Sequence, residues 1–121
     1  MRQVETMHEL GIVMEIVRVV DELAKEQGIT AVDAIVLQIG ELSPVVPKYI
    51  EECYPAAVDG TFMENTKLEI EIMPGNGMCK ECSTIFNVLK SNGICPKCKS
   101  KNFEILSGRD FFIKEIQVPT D

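Results

Sequence analysis

The sequence contains no tryptophan, only 6% aromatic residues and a single histidine, His8. One histidine excludes a zinc hydrolase site of the usual kind, because such sites hold their metal with two or three imidazoles. The sequence also has no Gly-rich phosphate loop and no G-x-S-x-G turn, so it offers no familiar catalytic machinery. These absences predict a binding protein and not an enzyme.

Long apolar runs are absent as well. No stretch of about 18 apolar residues occurs, so the sequence predicts no membrane span. The first residues are polar and lack the apolar core of a secretion signal. The five cysteines are an odd number, and four of them form two Cys-x-x-Cys pairs, which suits metal binding in a reducing compartment better than a disulfide framework. We therefore expect a cytoplasmic protein.

The net charge of −7 is unevenly distributed. Residues 74–108 hold five lysines and two glutamates, whereas the remainder holds seven basic and seventeen acidic residues. Lysines near four thiolates would offset the negative charge that remains around a bound zinc ion. The alternative, a basic patch for nucleic acid, is disfavoured because the acidic remainder would repel phosphate. We therefore expect no nucleic-acid partner.

The N-terminal part predicts an amphipathic helix from Leu10 to Gln27, ended by Gly28. Its apolar positions recur at helical spacing: Leu10, Val13, Met14, Val17, Val20 and Ala24, widened by Ile16, Val19 and Leu23. Thr6-Met7-His8-Glu9 matches a capping box, which predicts the helix start and puts His8 in the first turn. At a helix start the dipole favours neutral imidazole, the form that binds metal.

The remaining elements predict an α+β fold. Residues 34–40 read as a buried strand, residues 67–72 as a half-buried strand and residues 111–118 as a returning strand. A second helix follows Pro47 and is expected to be kinked or shortened at Pro55. We expect two helices packed on a small mixed β-sheet, with an inserted zinc ribbon built on four cysteines. The predicted domains are residues 1–73 plus 109–121 for the α/β body and residues 74–108 for zinc.

Four cysteines give the strongest signal: Cys79-x2-Cys82-x12-Cys95-x2-Cys98. A two-residue spacing lets both thiolates of a knuckle reach one ion, and two knuckles complete a tetrahedron. Four thiolates leave no open coordination position, which indicates a structural zinc ion. An iron centre and a redox dithiol pair are the alternatives. The fifth cysteine, Cys53, lies on the apolar stripe of the second helix and reads as a core residue.

Several motifs in this order resemble the HypA/HybF family of hydrogenase maturation factors, which bind nickel. The resemblance rests on Met7-His8-Glu9-Leu10, on residues 37–43 (Leu-Gln-Ile-Gly-Glu-Leu-Ser), on the two knuckles, and on Gly108-Arg109-Asp110 with residues 113–116 (Ile-Lys-Glu-Ile). It extends from Met7 to about Val118. Met-His-Glu alone is a weak motif, but its combination with the paired knuckles and the Ile-Gly-Glu-Leu segment is specific.

The resemblance implies a nickel metallochaperone with a nickel site at Met7, His8 and Glu9. The ligands implied are the His8 imidazole, the amides of His8 and Glu9, and the amine of Met7, a nitrogen set that suits square-planar Ni(II). The implied partners are a companion HypB-like GTPase and the large-subunit precursor of a [NiFe]-hydrogenase, and some relatives also serve urease. Zinc is the implied structural metal, and Ni(II) is the cargo.

Six residues precede Met7, where the family pattern begins at the N-terminus. Either translation starts at Met7, or the extension is retained and one nickel ligand is replaced. A different functional class, a zinc-ribbon adaptor that binds protein or nucleic acid, is the alternative to a metallochaperone. Nickel binding through His8 distinguishes the two.

Overall fold

The structure is a computed structural model that describes the backbone of residues 2–120 and the side chains of residues 8–120. The described elements, in chain order, are α1 (Arg2–Gln27), β1 (Ala34–Gly40), α2 (Pro47–Val58), β2 (Lys67–Met73), β3 (Asn76–Cys79), β4 (Ile85–Asn87), β5 (Phe103–Ile105) and β6 (Phe111–Gln117). None of the helices in the described part of the chain is long and apolar enough to cross a membrane.

The chain divides into two compact units. The body unit comprises Met1–Leu37, Val45–Glu71 and Phe112–Asp121, and the ribbon unit comprises Gln38–Pro44 and Ile72–Phe111. The predicted zinc domain, residues 74–108, falls inside the ribbon unit, which also takes in the segment after β1. The domain limits drawn from the sequence stay a proposal.

The first of two three-stranded sheets has the strand order β2-β1-β6. β1 and β2 run parallel, because Lys67 donates to the carbonyl of Asp33 where both strands begin, and Glu41 donates to the carbonyl of Met73 where both end. The central strand β1 is buried at six of its seven positions, with Ile35, Leu37 and Ile39 fully inaccessible. Its apolar, β-branched sequence therefore forms the centre of the core.

The other neighbour of β1 runs in the opposite direction. The amide of Asp33, just before β1, donates to the carbonyl of Gln117 at the end of β6. The amide of Gly40, at the end of β1, donates to the carbonyl of Asp110 just before β6. One parallel and one antiparallel pairing make the sheet mixed. The predicted returning strand thus pairs with β1, and the α+β class with two helices, a mixed sheet and an inserted cysteine ribbon is confirmed.

Helix α1 begins at Arg2, not after Thr6. The predicted capping box is therefore wrong, and His8 lies in the second turn instead of the first. The argument from the helix dipole no longer applies to the imidazole, because that effect is confined to the first turn. The side chain of Thr6 lies outside the described residues.

The two helices pack against each other in the body unit. The buried face of α1 is narrower than predicted, since Met14 is 53% exposed and Val19 and Leu23 are also exposed. Among the described side chains of α1, the buried apolar ones are Val13, Ile16, Val17, Val20 and Ala24. Helix α2 continues through Pro55 to Val58, so it is not shortened there, and the alternative, a kink at Pro55, stays a prediction.

The ribbon unit contains the second sheet, with strand order β4-β3-β5. β3 pairs antiparallel with both neighbours. Its partners in register are Asn76 with Asn87, Gly77 with Phe86 and Ile105, Met78 with Ile85 and Glu104, and Cys79 with Phe103. Gly77 is buried at the centre, where an added Cβ would press on the Phe103 ring, so a small residue is required there.

Candidate metal centres

The four predicted zinc ligands converge on one point. The sulfurs of Cys79, Cys82, Cys95 and Cys98 all lie within 4.8 Å of one another. The Cys79 and Cys98 sulfurs are 3.4 Å apart, and the Cys82 and Cys95 sulfurs 3.6 Å apart. A Zn–S bond of about 2.3 Å gives a tetrahedron with edges of about 3.8 Å. The donor set and its spacing therefore fit a tetrahedral zinc ion.

Each knuckle is the same turn. In the first knuckle the amide of Ser83 donates to the carbonyl of Cys79, and in the second the amide of Lys99 donates to that of Cys95, each at 2.9 Å. Ser83 and Lys99 both adopt the left-handed conformation, with φ of 65° and 66°. The two Cys-x-x-Cys motifs of the sequence therefore fold into the same local structure.

Backbone amides point at the sulfurs inside these turns. The amide of Glu81 lies 3.4 Å from the Cys79 sulfur, and the amide of Cys98 lies 3.5 Å from the Cys95 sulfur. Such N–H groups stabilise negative charge on sulfur. The knuckles therefore favour thiolates, which are the form that binds metal.

The pKa values of the cysteines diverge. A hydrogen bond from the Thr84 hydroxyl, followed by one from the Thr84 amide, lowers the pKa of Cys82 to about 6. The Ser100 amide acts to lower the pKa of Cys98, but hydrogen bonding with Cys79, burial and the neighbouring thiols raise it to about 12. Four adjacent thiols cannot all ionise without a cation between them, because like charges repel. A divalent metal would supply that compensation.

The cluster rests on a small apolar core. Cys79 and Cys95 are buried at 1% and 0% exposure, Cys82 is half-buried and Cys98 is exposed. Phe86 and Phe103 pack edge to face beneath them, with ring centroids 5.5 Å apart. Sequence reasoning did not select these two rings, although both flank the knuckles on short strands.

The five lysines of residues 74–108 are all exposed: Lys80, Lys90, Lys97, Lys99 and Lys101. They lie on the same unit as the four thiols, where exposed cations can offset thiolate charge. Cys53 is buried on α2 in the body unit, where desolvation, followed by Glu52 and Glu9, raises the pKa of its thiol. It is not among the clustered cysteines.

The predicted nickel residues lie on α1 in the body unit. The His8 side chain is 61% exposed, whereas Glu9 beside it is 3% exposed. The Nδ1 atom of His8 lies 3.6 Å from Oε1 of Glu9, and Oε2 of Glu9 accepts a hydrogen bond of 3.1 Å from the amide of Val46. Met7 belongs to α1, but its side chain lies outside the described residues.

The region therefore offers one solvent-facing imidazole beside a fixed carboxylate. The amides of His8 and Glu9 lie inside the helix, where each amide donates to a carbonyl four residues earlier. The His8 imidazole is thus exposed, whereas the amides of His8 and Glu9, the two backbone ligands that the resemblance implies, are hydrogen-bonded within the helix.

Known proteins match nearly the whole chain. A profile of the family described as "Hydrogenase/urease nickel incorporation, metallochaperone, hypA" matches residues 7–118. The hydrogenase maturation factor HypA of Trichodesmium erythraeum is 39% identical, with 93% of this chain and 96% of that protein covered. That of Geobacter sulfurreducens is 38% identical, with 93% and 99% covered.

Two solved structures share the fold. A solution structure of a HypA protein superposes with a TM-score of 0.68 at 25% identity, covering 95% of this chain and 98% of that one. The solution structure of the Ni metallochaperone HypA from Helicobacter pylori has a TM-score of 0.63 at 23% identity, covering 93% and 98%. With the matches in sequence, these show that the chain belongs to the HypA family of metallochaperones for hydrogenase and urease nickel incorporation.

Proposed function

We propose that Cys79, Cys82, Cys95 and Cys98 hold one structural zinc ion per chain. Sulfur spacings of 3.4 and 3.6 Å, amides directed at the sulfurs and a donor set made of four cysteines alone support this assignment. When bound, zinc would offset part of the charge of the four thiolates and tie the two knuckles together, which supplies folding free energy to the ribbon. Residues 79–83 and 95–99 form the two turns, and the rings of Phe86 and Phe103 pack beneath the cysteines.

Nickel is the cargo, and we place its site at Met7, His8 and Glu9. The observation that supports this most is the exposed His8 imidazole beside a Glu9 side chain that is fixed to Val46. An exposed imidazole can take up and release an ion, whereas a buried one would retain it. The position of the motif at the start of the family match, residue 7, is in agreement.

Use of the backbone nitrogens requires α1 to open at its start. Deprotonated amides of His8 and Glu9 cannot also donate to helix carbonyls, so the turns before Glu9 must unwind when nickel binds. Unwinding can stop at Glu9, because its carboxylate is buried and hydrogen-bonded to Val46. Beyond it, Val13 and Ile16 bury the helix against the body.

The proposed role is delivery, not catalysis. The chain would bind Ni(II). Working with a HypB-like GTPase, it would then pass the ion to the large-subunit precursor of a [NiFe]-hydrogenase. Family membership and the naming of the relatives as maturation factors support this delivery role. The proposed compartment is the cytoplasm, because the cysteine cluster requires reduced thiols.

Nickel titration of the zinc-loaded full chain tests the proposal. The parent should bind one Ni(II), and His8→Ala should lose specific binding while zinc content stays unchanged. Glu15→Ala is a matched control, since Glu15 is an exposed α1 residue paired with Arg18. Nickel binding by His8→Ala at the parent affinity would contradict the proposal and favour a zinc-ribbon adaptor.

A further inference from the structure

Neither metal site uses the Ile-Gly-Glu-Leu segment, although it is among the most recognisable parts of the sequence. Its glutamate, Glu41, belongs to the ribbon unit and is half-buried. Oε1 of Glu41 accepts two hydrogen bonds, one from the amide of Gly75 at 2.9 Å and one from Nδ2 of Asn87 at 2.7 Å. One carboxylate oxygen thus joins the start of the cysteine ribbon to its strand β4.

The backbone around Glu41 holds both ends of the inserted ribbon. The amide of Glu41 donates to the carbonyl of Met73 at 2.8 Å, just before the ribbon begins. On the other side, the amides of Gly40 and Leu42 donate to the carbonyls of Asp110 and Gly108 at 2.9 and 2.8 Å, where the chain returns. We call residues 40–42 the clasp, since they bond to the outgoing and to the returning chain.

Close approach explains the glycines in this region. A Cβ on Gly40 would overlap the carbonyl of Gly108, and a Cβ on Gly75 would overlap the Leu42 side chain. Gly108 has φ of +87°, a conformation that other residues rarely adopt. The clasp is therefore a tightly fitted junction and not a loose linker.

Asn87 connects the clasp to the cysteine cluster through β4. That strand begins directly after Thr84, whose carbonyl accepts a hydrogen bond of 2.9 Å from the amide of Cys79. The Thr84 hydroxyl also lies 3.1 Å from the Cys82 sulfur. Two of the four proposed zinc ligands are thus bonded to the residue that precedes the strand on which Asn87 lies.

We propose that Glu41 is a positioning residue that couples zinc occupancy of the cysteine cluster to the clasp at the end of β1. The coupling rests on the proposed zinc site. With zinc bound, the first knuckle fixes Thr84 and β4, so Asn87 stays in place for Glu41. Without zinc, the knuckle is released, Asn87 moves and the clasp loses one of its two side-chain bonds.

Amide hydrogen exchange on the full chain, with zinc bound and after chelation, tests this coupling. In the parent, chelation should speed exchange at Gly75 by about tenfold or more, since its amide donates to the charged Glu41 carboxylate and such hydrogen bonds are strong. The clasp amides donate to backbone carbonyls and should also exchange faster, because the junction that holds them is weakened. In Glu41→Ala these amides should exchange fast with zinc already bound, and chelation should add little. Glu41→Gln keeps an acceptor oxygen and should restore most of the zinc dependence.

Two further variants complete the test. Asn87→Asp keeps the oxygen that accepts from the Lys90 amide but removes the donor to Glu41, so it should remove the zinc dependence as Glu41→Ala does, while Gly75 keeps its own bond to Glu41. Glu104→Ala, an exposed position on β5, should behave like the parent. A merely structural Glu41 would lower protection equally in zinc-bound and zinc-free protein.

The outcomes separate the two proposals. If the purified parent binds no zinc, the zinc assignment fails before Glu41 is tested. If zinc binds but chelation accelerates the clasp amides by the same factor in the parent, in Glu41→Ala and in Asn87→Asp, the coupling is overturned and the zinc site stands.

Discussion

Glu9 reaches across to the start of the second helix, where its carboxylate accepts a hydrogen bond of 3.1 Å from the amide of Val46. Val46 is the N-cap of α2 and has no side-chain cap of its own. A carboxylate at a helix N-terminus also complements the helix dipole. The side chain of the third residue in Met-His-Glu is therefore an anchor within the body unit, and its backbone amide is what the proposed nickel site would use.

Replacement of this anchor should cost stability. Glu9→Ala leaves the Val46 amide without its acceptor and should lower the free energy of unfolding by about 1–3 kcal/mol. Glu9→Gln keeps one acceptor oxygen and should lose less. Urea unfolding followed by circular dichroism measures both, with Glu15→Ala as the surface control. If Glu9→Ala is as stable as that control, the anchor contributes nothing.

Much of the architecture could be predicted because its signals are local. The mainly apolar run of residues 34–40, ended by Gly40, gave β1 its correct bounds, and the two-residue cysteine spacing predicted the cluster. The start of α1 could not be predicted in this way. A capping box contributes only about 1 kcal/mol, and a helix can continue through it.

The parts that sequence reasoning missed depend on distant partners. Glu9 was expected to turn back to Thr6 but bonds to Val46, and Glu41 was noted only as part of a motif. The first contact joins residues 37 positions apart, and the bond from Gly75 to Glu41 joins residues 34 positions apart. No periodicity or spacing in the sequence reports such pairs, so they emerge only from the folded chain.

Loss of one zinc ligand should unfold the ribbon and spare the body. Binding free energy at a structural zinc site is folding free energy, on the order of 10 kcal/mol or more. Cys79→Ser and Cys98→Ser should therefore lose zinc and the dispersed amide signals of β3 to β5. Cys53→Ala is the matched control and should keep one zinc per chain by metal analysis. Joint melting of α1 and α2 in the ligand variants would contradict this expectation.

Acid should release the Glu41 clasp only at low pH. The amide of Gly75, then the Asn87 side chain, lower the pKa of Glu41 below its ordinary value of 4.5, with a smaller contribution from Lys90. Because the folded pKa is lower than the unfolded one, the stabilisation is complete above the ordinary value and is lost as the pH falls through the folded pKa. Titration of the Glu41 carboxyl by NMR should give a midpoint below 4.5; a midpoint at or above it would contradict the two hydrogen bonds.

The residues before Met7 should weaken nickel binding without abolishing it. In the full chain, α1 starts at Arg2, so the amides of His8 and Glu9 are committed to helix carbonyls, and Met7 offers an amide in place of an amine. In a chain that starts at Met7, those amides belong to the first turn and have no acceptor within the helix. Opening costs less there, and a free amine completes the nitrogen set. We expect tighter binding and a yellow square-planar absorption band mainly in the shorter form, measured by titration calorimetry and visible spectroscopy at equal zinc content.

His8→Ala should remove specific nickel binding from both forms. Equal affinity and equal spectra for the two lengths would show that the first turns of α1 pose no barrier to nickel.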